Sequence, residues 1–540
     1  MNLFNKKILV TCALPYSNGS LHLGHLLEQI QADIWIRYKK ITNNSIYFIC
    51  SDDSHGTPIM LKSIDLNIKP ELLINNFNKE HIKNFKDFSI YHDYYYLTNN
   101  HENKRLINKF YFILKKNNLI NYKYIYQFYD VYNNIFLPDR FILGKCPKCY
   151  SKDQFGDHCN KCNSVYNSIN LINPKSTLSN SIPILKKTKH IFINLNNFKN
   201  KNNVLIKKLF CQKEIINKIN EFIICDMESY NISRDYPYFG FKIPNEINKY
   251  FYVWVDALIS YISTFKRFCH NINDIELFDK FWNLNSNYDI YQFIGKDIIF
   301  FHSIIWPYIL DLLNLRKPTK IIVHGHLTIN GYKMSKSTNN FITVDSYIKT
   351  FNSDYLRYYF ASKLSLNIND IDFNIKDFYI KVNYILIDKI INIPYRIKNF
   401  LNNIFQNKLS DEIDTNLYND FIFRSDYIWK LYEDFNFLEV VNIVIDLSNI
   451  LNKYISNNEP WNCNNINKLH KICSTSINLF KIIVLYIKPI IPTISYDLEK
   501  FLGISLTKNS LKFILKYNKI NFLNKNILKK INILDLNKLI

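Results

Sequence analysis

Ile8-Leu9-Val10-Thr11-Cys12-Ala13-Leu14 runs without a charge into Pro15-Tyr16-Ser17-Asn18-Gly19-Ser20-Leu21, and then into His22-Leu23-Gly24-His25. The apolar run has the length and composition of a strand buried on both faces. Pro15 to Gly19 is turn chemistry. Beyond it, Leu23, Leu26, Leu27, Ile30 and Ile34 recur at helical spacing, predicting a helix through about Lys40. Ile46 to Cys50 reads as the next strand and ends in Ser51-Asp52-Asp53-Ser54-His55-Gly56. Strand, helix and strand in this order predict a parallel sheet whose ligands sit at the strand ends.

Around Ile120 the alternation gives way to irregular Tyr- and Asn-rich sequence that holds a group of four cysteines. It returns near Tyr250, with strands expected over Asp289 to Ile294 and Lys320 to His324. After Asp372 the strands stop and helical periodicity runs to the C-terminus, as in a separate helical bundle. The expected fold class is α/β: one nucleotide-binding sheet split by an insertion, followed by an all-α region.

At 540 residues the chain is too long for one core. Its net charge of +22 favours a polyanionic partner, although Lys, Asn, Ile and Tyr are abundant throughout, as under a compositional drift. Glycine is more telling. With 10 in 540, far below the usual share of about 7%, it is expected only where a side chain would obstruct a ligand or a turn. Six of the ten, Gly19, Gly24, Gly56, Gly295, Gly325 and Gly331, lie in or near the segments discussed here. No signal peptide or membrane span is evident, because Ile8 to Leu14 lacks a small-residue cleavage site and Ile482 to Ile491 is broken by Lys488-Pro489. Seven of 11 cysteines are scattered singly, as suits a reducing cytoplasm.

A strand, a glycine-containing turn and a helix start together form an anion site, since free backbone N–H groups and the helix dipole favour phosphate. His22 and His25, three residues apart, face the same way from the first turn and can donate to phosphate oxygens. Read alone, such a pair is more often two surface histidines on a helix. Lys333-Met334-Ser335-Lys336-Ser337 offers two ammonium groups on one loop, and alone it could be a solvated basic loop. The chain has no G-x-x-x-x-G-K-[ST] loop.

Taken together in this order, the two segments resemble the HIGH and KMSKS signatures of class I aminoacyl-tRNA synthetases, with Leu23 in the Ile place. The chain resembles the methionyl-tRNA synthetase family over nearly its whole length, through Thr11 to Tyr16, Asp52 to Pro58, Ile232 to Asp235, Tyr252 to Ala257 and Ile294 to His302. The resemblance implies a split Rossmann-type catalytic domain (1–115 and 233–325) and a connective insertion with a zinc knuckle (116–232). A KMSKS-containing stem-contact region (326–388) and an all-α anticodon-binding bundle (389–540) follow. It implies a ligase that condenses L-methionine with ATP, accompanied by Mg2+, and passes the methionyl group to the 3′-terminal adenosine of tRNA(Met), initiator and elongator. By that resemblance catalysis would fall to His22, His25, Lys333 and Lys336, and ATP binding to His22, Gly24, His25, Gly295, Asp297 and Lys336. The methionine pocket would comprise Ala13, Leu14, Tyr16, Asp53, Arg234, Trp254, Ala257, Leu258, Tyr261, Ile298 and His302. Asp53 would hold the ammonium, and Arg234 would lie near the carboxylate and adenylate. An aromatic slot suits a polarizable thioether. Taken singly, Trp254 and Tyr261 read as core aromatics. The family usually has Pro after its Asp-Ala pair, where this chain has Leu258.

Cys146-Pro147-Lys148-Cys149 and Cys159-Asn160-Lys161-Cys162, nine residues apart, have the spacing of a four-thiolate structural zinc site, with His158 a bystander. In the helical end, Asp388, Asn392 and Arg396 recur at i, i+4 and i+8, which would share one helix face. The resemblance implies that Asn392, Arg396 and Trp461 read the anticodon; a solvated helix face is the other reading. Asp388 stands where the family commonly has Asn, and Pro394 is expected to kink or end the helix. The chain stops at Ile540 without the appended domain that dimerises many bacterial relatives, so a cytoplasmic monomer is expected. Two other readings stay open: a tRNA-binding paralogue without catalysis, and a smaller nucleotidyltransferase.

Overall fold

The apolar run that begins at Ile8 forms the strand Lys7–Cys12, the central member of a five-stranded sheet. The computed structural model describes residues 7–156, 159, 161, 162, 164, 166–195, 206–224, 229–333, 341–521, 528–537 and 539. Across the sheet the strands are Lys320–His324, Asp289–Gly295, Lys7–Cys12, Ser45–Asp52 and Tyr94–Leu97, each parallel to its neighbours. From the central strand the chain builds outward on one side, and it returns to the other side only after residue 288. The strand order therefore reverses beside Lys7–Cys12, and the crevice at the carboxyl ends there is where such sheets bind ligands.

Both faces of the sheet are covered, which is why its strands read as continuous apolar runs rather than alternating ones. Ile8, Val10 and Cys12 join the helix Leu23–Ile41 in one apolar cluster, whereas Leu9 joins the helix Val253–Asn271 in another. The C-terminal helices pack into the first of these clusters. Trp35 stacks on Phe435, with ring centroids 5.5 Å apart. The fully buried Arg357 donates to Asp33 Oδ2 at 2.6 Å and to the carbonyls of Phe88 and Ile490. A buried guanidinium satisfied in this way is costly to disturb, so the helical end and the sheet are one packed unit here.

In the region expected to be irregular after Ile120, the described residues form two antiparallel sheets. Ile120–Asp130 and Ile184–Asn194 pair antiparallel over ten residue pairs, and Ser229–Asn231 adds a short third strand. Thr188 and His190 point inward to Asp235, while Tyr122, Tyr124, Tyr126, Lys187 and Lys189 are exposed on the other face. With an aromatic and basic outer face, the strands lack the apolar–polar alternation that identifies a half-buried strand. A smaller sheet of Ile142–Lys145, Gln154–Phe155 and Ile172–Ser176 carries the cysteine group. No helix of the described residues is long and apolar enough to cross a membrane.

Candidate active site

A cavity of about 440 Å³ opens at the carboxyl ends of the sheet strands. Every strand end near the order reversal contributes to its wall. Ala13, Leu14 and Tyr16 follow the first strand, Asp53 follows the second, Gly295, Asp297 and Ile298 follow Asp289–Gly295, and His324 and His326 end or follow Lys320–His324. Helices supply the rest: His22, Gly24, His25, Glu28 and Gln29 come from the start of Leu23–Ile41, and Trp254, Ala257, Leu258 and Tyr261 from Val253–Asn271.

The helix start fixes the two imidazoles. His22 is the N-cap, and its Nδ1 accepts the Gly24 N–H at 3.0 Å. His25 Nδ1 accepts the His22 N–H at 3.2 Å. The rings stack with centroids 3.8 Å apart. A ring nitrogen that accepts carries no proton, so each imidazole is set as the Nε2–H tautomer, a donor without needing a charge. Desolvation, with the His22 ring adjacent, holds His25 well below the usual histidine range. The turn that delivers these rings is anchored by the buried His81, which bonds Asp52 Oδ1 at 2.7 Å and the Gly19 carbonyl at 3.0 Å.

Elsewhere in the cavity the chemistry is of another kind. Asp53 is buried, and its Oδ1 has no hydrogen-bond partner among the described residues. Burial, with Asp256 close by, pushes its carboxyl well above the usual carboxylate range. Such a group suits a cation brought by a ligand. Tyr261 donates its hydroxyl to His302 Nε2 at 3.0 Å, and His302 Nδ1–H donates to the Ile298 carbonyl at 3.1 Å. Burial lowers the His302 pKa to about 4, so this imidazole is neutral. Trp254 lies flat on Phe301, with centroids 4.0 Å apart and 7° between planes. Leu258, where the family's Pro is absent, lies within an unbroken helix, buried against the cavity.

Arg234 is the one described member of the expected substrate set that does not line this cavity. Its guanidinium sits 3.6 Å from the centroid of Tyr252 and donates to the Ser233 carbonyl. The Lys333 side chain and Lys336, with the rest of residues 334–340, lie outside the described residues, as does His158. Three buried groups escaped the sequence reading: His81, and the pair Glu28 and His324, 3.4 Å apart in the cavity wall. Burial raises the Glu28 carboxyl to about 7. A signal existed for each of the pair. Glu28 is three residues beyond His25 on one helix face, and His324 ends a parallel strand.

The four cysteines converge, with all four sulfurs within 4.8 Å of one another. Cys146 and Cys162 sulfurs are 3.8 Å apart, and Cys149 and Cys159 sulfurs 3.5 Å. Four sulfurs at the usual zinc–sulfur length in a tetrahedron stand about 3.8 Å apart. The N–H groups of Lys148 and Cys149 point at Cys146 Sγ, and those of Lys161 and Cys162 at Cys159 Sγ, all at 3.4 Å. These donors favour thiolates, and the set fits one structural zinc. Metal analysis is expected to find one zinc per chain, and Cys159→Ser to abolish it and make this small sheet the first site of proteolysis. Full zinc content in that variant would contradict the assignment.

In the helical end, the helix Lys381–Ile391 stops before Asn392, and Ile393–Arg396 is a separate 3-10 turn opened by Pro394. The helix thus ends where Pro394 was expected to end it, because Pro394 has no N–H to continue the ladder, and Asp388, Asn392 and Arg396 do not share one helix. Asn392 and Arg396 nonetheless line one surface hollow, and Arg396 lies 5.9 Å from the Trp461 ring. Asp388, the unusual acid, is offset by Lys530 at 2.6 Å and accepts a bond from Asn392.

Residues 8–398 match the family model described as tRNA synthetases class I (M). A protein named methionine--tRNA ligase in Buchnera aphidicola subsp. Baizongia pistaciae is 48% identical over 506 residues, covering 93% of each chain. One of the same name in Blochmanniella floridana is 48% identical over 524 residues, covering 96% of each. Among solved structures, Mycobacterium tuberculosis methionyl-tRNA synthetase in complex with methionyl-adenylate matches with a TM-score of 0.79 at 18% identity, over 97% of this chain and 99% of that one. At that identity the likeness shows a shared fold.

Proposed function

The chain belongs to the class I methionyl-tRNA synthetase family and is a methionine–tRNA ligase, and on that premise we propose how its own residues carry the reaction. Asp53 binds the ammonium of L-methionine, and Tyr261, His302, Trp254, Leu14, Ala257, Leu258 and Ile298 enclose the thioether. Ala13 and Tyr16 close the wall beside Asp53, and Arg234 guards the rim. ATP lies across Gly24, Gly295 and Asp297, its triphosphate against His22 and His25, with Mg2+ as its counter-ion. The methionine carboxylate then attacks the α-phosphorus and pyrophosphate leaves. No covalent enzyme intermediate is needed. The work is placement, together with donors that meet negative charge as it builds: the two Nε2–H imidazoles, and Lys333 and Lys336 from the loop. A ribose hydroxyl of the 3′-terminal adenosine of tRNA(Met) then attacks the acyl carbon of the methionyl-adenylate so formed, the acyl–phosphate bond breaks and AMP leaves. The partners are ATP, L-methionine and tRNA(Met), for a cytoplasmic monomer.

One observation carries this reading: a single cavity holds two uncharged imidazole donors, a buried carboxyl oxygen with no partner among the described residues, and an aromatic slot. Amino-acid-dependent ATP–pyrophosphate exchange tests it. Methionine is expected to be the only standard amino acid giving strong exchange; strong exchange with leucine or valine instead would overturn the pocket assignment.

For RNA, we infer that Asn392, Arg396 and Trp461 contact the anticodon. Trp461 is 51% exposed, and Arg396, 5.9 Å from its ring centroid, is held in place by Asn452 and Ser456. Stacking of one base is worth about 1–3 kcal/mol. Trp461→Ala is therefore expected to raise KM for tRNA roughly 5- to 150-fold and to leave pyrophosphate exchange unchanged. Unaltered tRNA kinetics would remove Trp461 from the interface.

A further inference from the structure

His55 and Asp256 form a buried bond that none of the roles above uses. His55 is 1% and Asp256 0% exposed, and His55 Nδ1–H donates to Asp256 Oδ2 at 2.9 Å. Asp256 Oδ1 has no partner among the described residues, so this bond is what orients the carboxylate. Phe239 and Phe241 stand edge-on to the His55 ring, with centroids 5.4 and 4.5 Å away, and exclude water from it. In such surroundings a hydrogen bond is stronger and its loss costlier than at a surface.

The two residues belong to the two carriers of the cavity. His55 is two residues beyond Asp53, and its carbonyl accepts the hydroxyl of Tyr16 at 2.5 Å. Asp256 lies in the first turn of Val253–Asn271, between Trp254 and Ala257 and five residues before Tyr261. One carrier holds the carboxylate, and the other holds the wall of the aromatic slot. The same helix is also tied to the strand Ser45–Asp52 by Ser51 and Thr264, whose hydroxyl oxygens are 2.7 Å apart. Thr264 is eight residues beyond Asp256, about 12 Å along the helix. Of these two ties, the His55–Asp256 bond is the one at the cavity end.

We propose that the His55–Asp256 pair is a positioning brace that fixes the distance between Asp53 and the slot wall, and so sets the length of side chain this enzyme activates. The inference rests on the reading that Asp53 takes the ammonium of methionine. An apolar pocket distinguishes one methylene by about 10- to 200-fold in kcat/KM, and it does so only while its walls hold their separation. Without the brace, the helix start can shift to admit a longer chain.

The test is kcat/KM in pyrophosphate exchange for methionine and for its S-ethyl homologue, one methylene longer. Wild-type protein is expected to prefer methionine at least tenfold. His55→Ala should lower that ratio to a few-fold. His55→Asn, whose amide can donate from nearly the same place, should restore most of it. Thr264→Val, which removes the distant tie, should keep the wild-type ratio even with a lower Tm. Should His55→Ala not fold, Asp256→Leu removes the acceptor and is expected to relax the ratio equally. A wild-type ratio in His55→Ala or Asp256→Leu would overturn the brace, as would an equal loss in Thr264→Val. Absence of exchange with methionine in wild-type protein would instead overturn the reading on which the brace rests.

Discussion

Asp53→Asn is expected to lower kcat/KM for methionine by about 150- to 5,000-fold and, at neutral pH, to raise Tm. The first effect follows from leaving the substrate ammonium desolvated without its counter-charge, a loss of about 3–5 kcal/mol when one partner of a buried pair is removed. The second follows from what Asp53 costs the empty protein. Its carboxyl is buried with an unpartnered oxygen, and its pKa is raised well above the unfolded value, chiefly by burial and by Asp256. Between the unfolded and the raised folded value, the folded state binds more protons than the unfolded one. Stability therefore falls as pH rises through that window, and Asn, which never ionises, removes the loss. Methionine binding has the opposite dependence. The ammonium needs the ionised carboxylate, so affinity should rise with pH up to the raised pKa of the empty site and then level off. Joint loss of activity and stability in Asp53→Asn would mean that Asp53 is a structural residue rather than a binding one.

The two halves of this enzyme were not equally legible from residues alone. The strands Lys7–Cys12, Ser45–Asp52, Asp289–Gly295 and Lys320–His324 could be read because burial on both faces leaves uninterrupted apolar runs. The ribbon Ile120–Asp130 could not, because its exposed face carries tyrosines and its partner strand lies some sixty residues on. Helical periodicity after Asp372 was evident, but it cannot say what the helices pack against. That answer lies in single long-range residues, such as Arg357, which meets Asp33 on one side and the Ile490 carbonyl of the helical end on the other. In the site, His22, His25 and Asp53 stand out as polar groups at element ends. Glu28 shares a helix face with His25 but, like Gln29, sits within an apolar helical pattern that draws the reading to the core, and His81 is an isolated histidine whose target, the Gly19 carbonyl, has no sequence signature. Resemblance supplied Arg234 as a substrate residue. The geometry puts it against Tyr252 and outside the cavity lining, a place no spacing rule encodes.

His25→Ala is expected to reduce kcat for adenylate formation by about 10²- to 10³-fold, the scale of losing one preorganised donor worth about 2.7–4 kcal/mol. KM for methionine should stay within about twofold, since the thioether slot and Asp53 are untouched. The reason lies in the backbone. The N–H groups of Gly24 and His22 occupy Nδ1 of the two rings, which fixes Nε2–H as the donor of each before any ligand arrives. Donors fixed in advance cost no reorganisation when charge builds on the phosphate oxygens, so their loss falls on kcat. His22 also caps the helix, and His22→Ala should forfeit about 1 kcal/mol of stability besides the rate. His22→Asn retains a capping oxygen but not the reach of Nε2, so it should recover stability without recovering kcat. Because His25 is held well below the usual histidine range, the neutral ring is the working form. At saturating methionine, kcat should then hold steady as pH rises from 6 to 8. A fall in kcat through about pH 6.5 would show instead that imidazolium charge carries the stabilisation, and that the backbone-fixed tautomers are incidental to it.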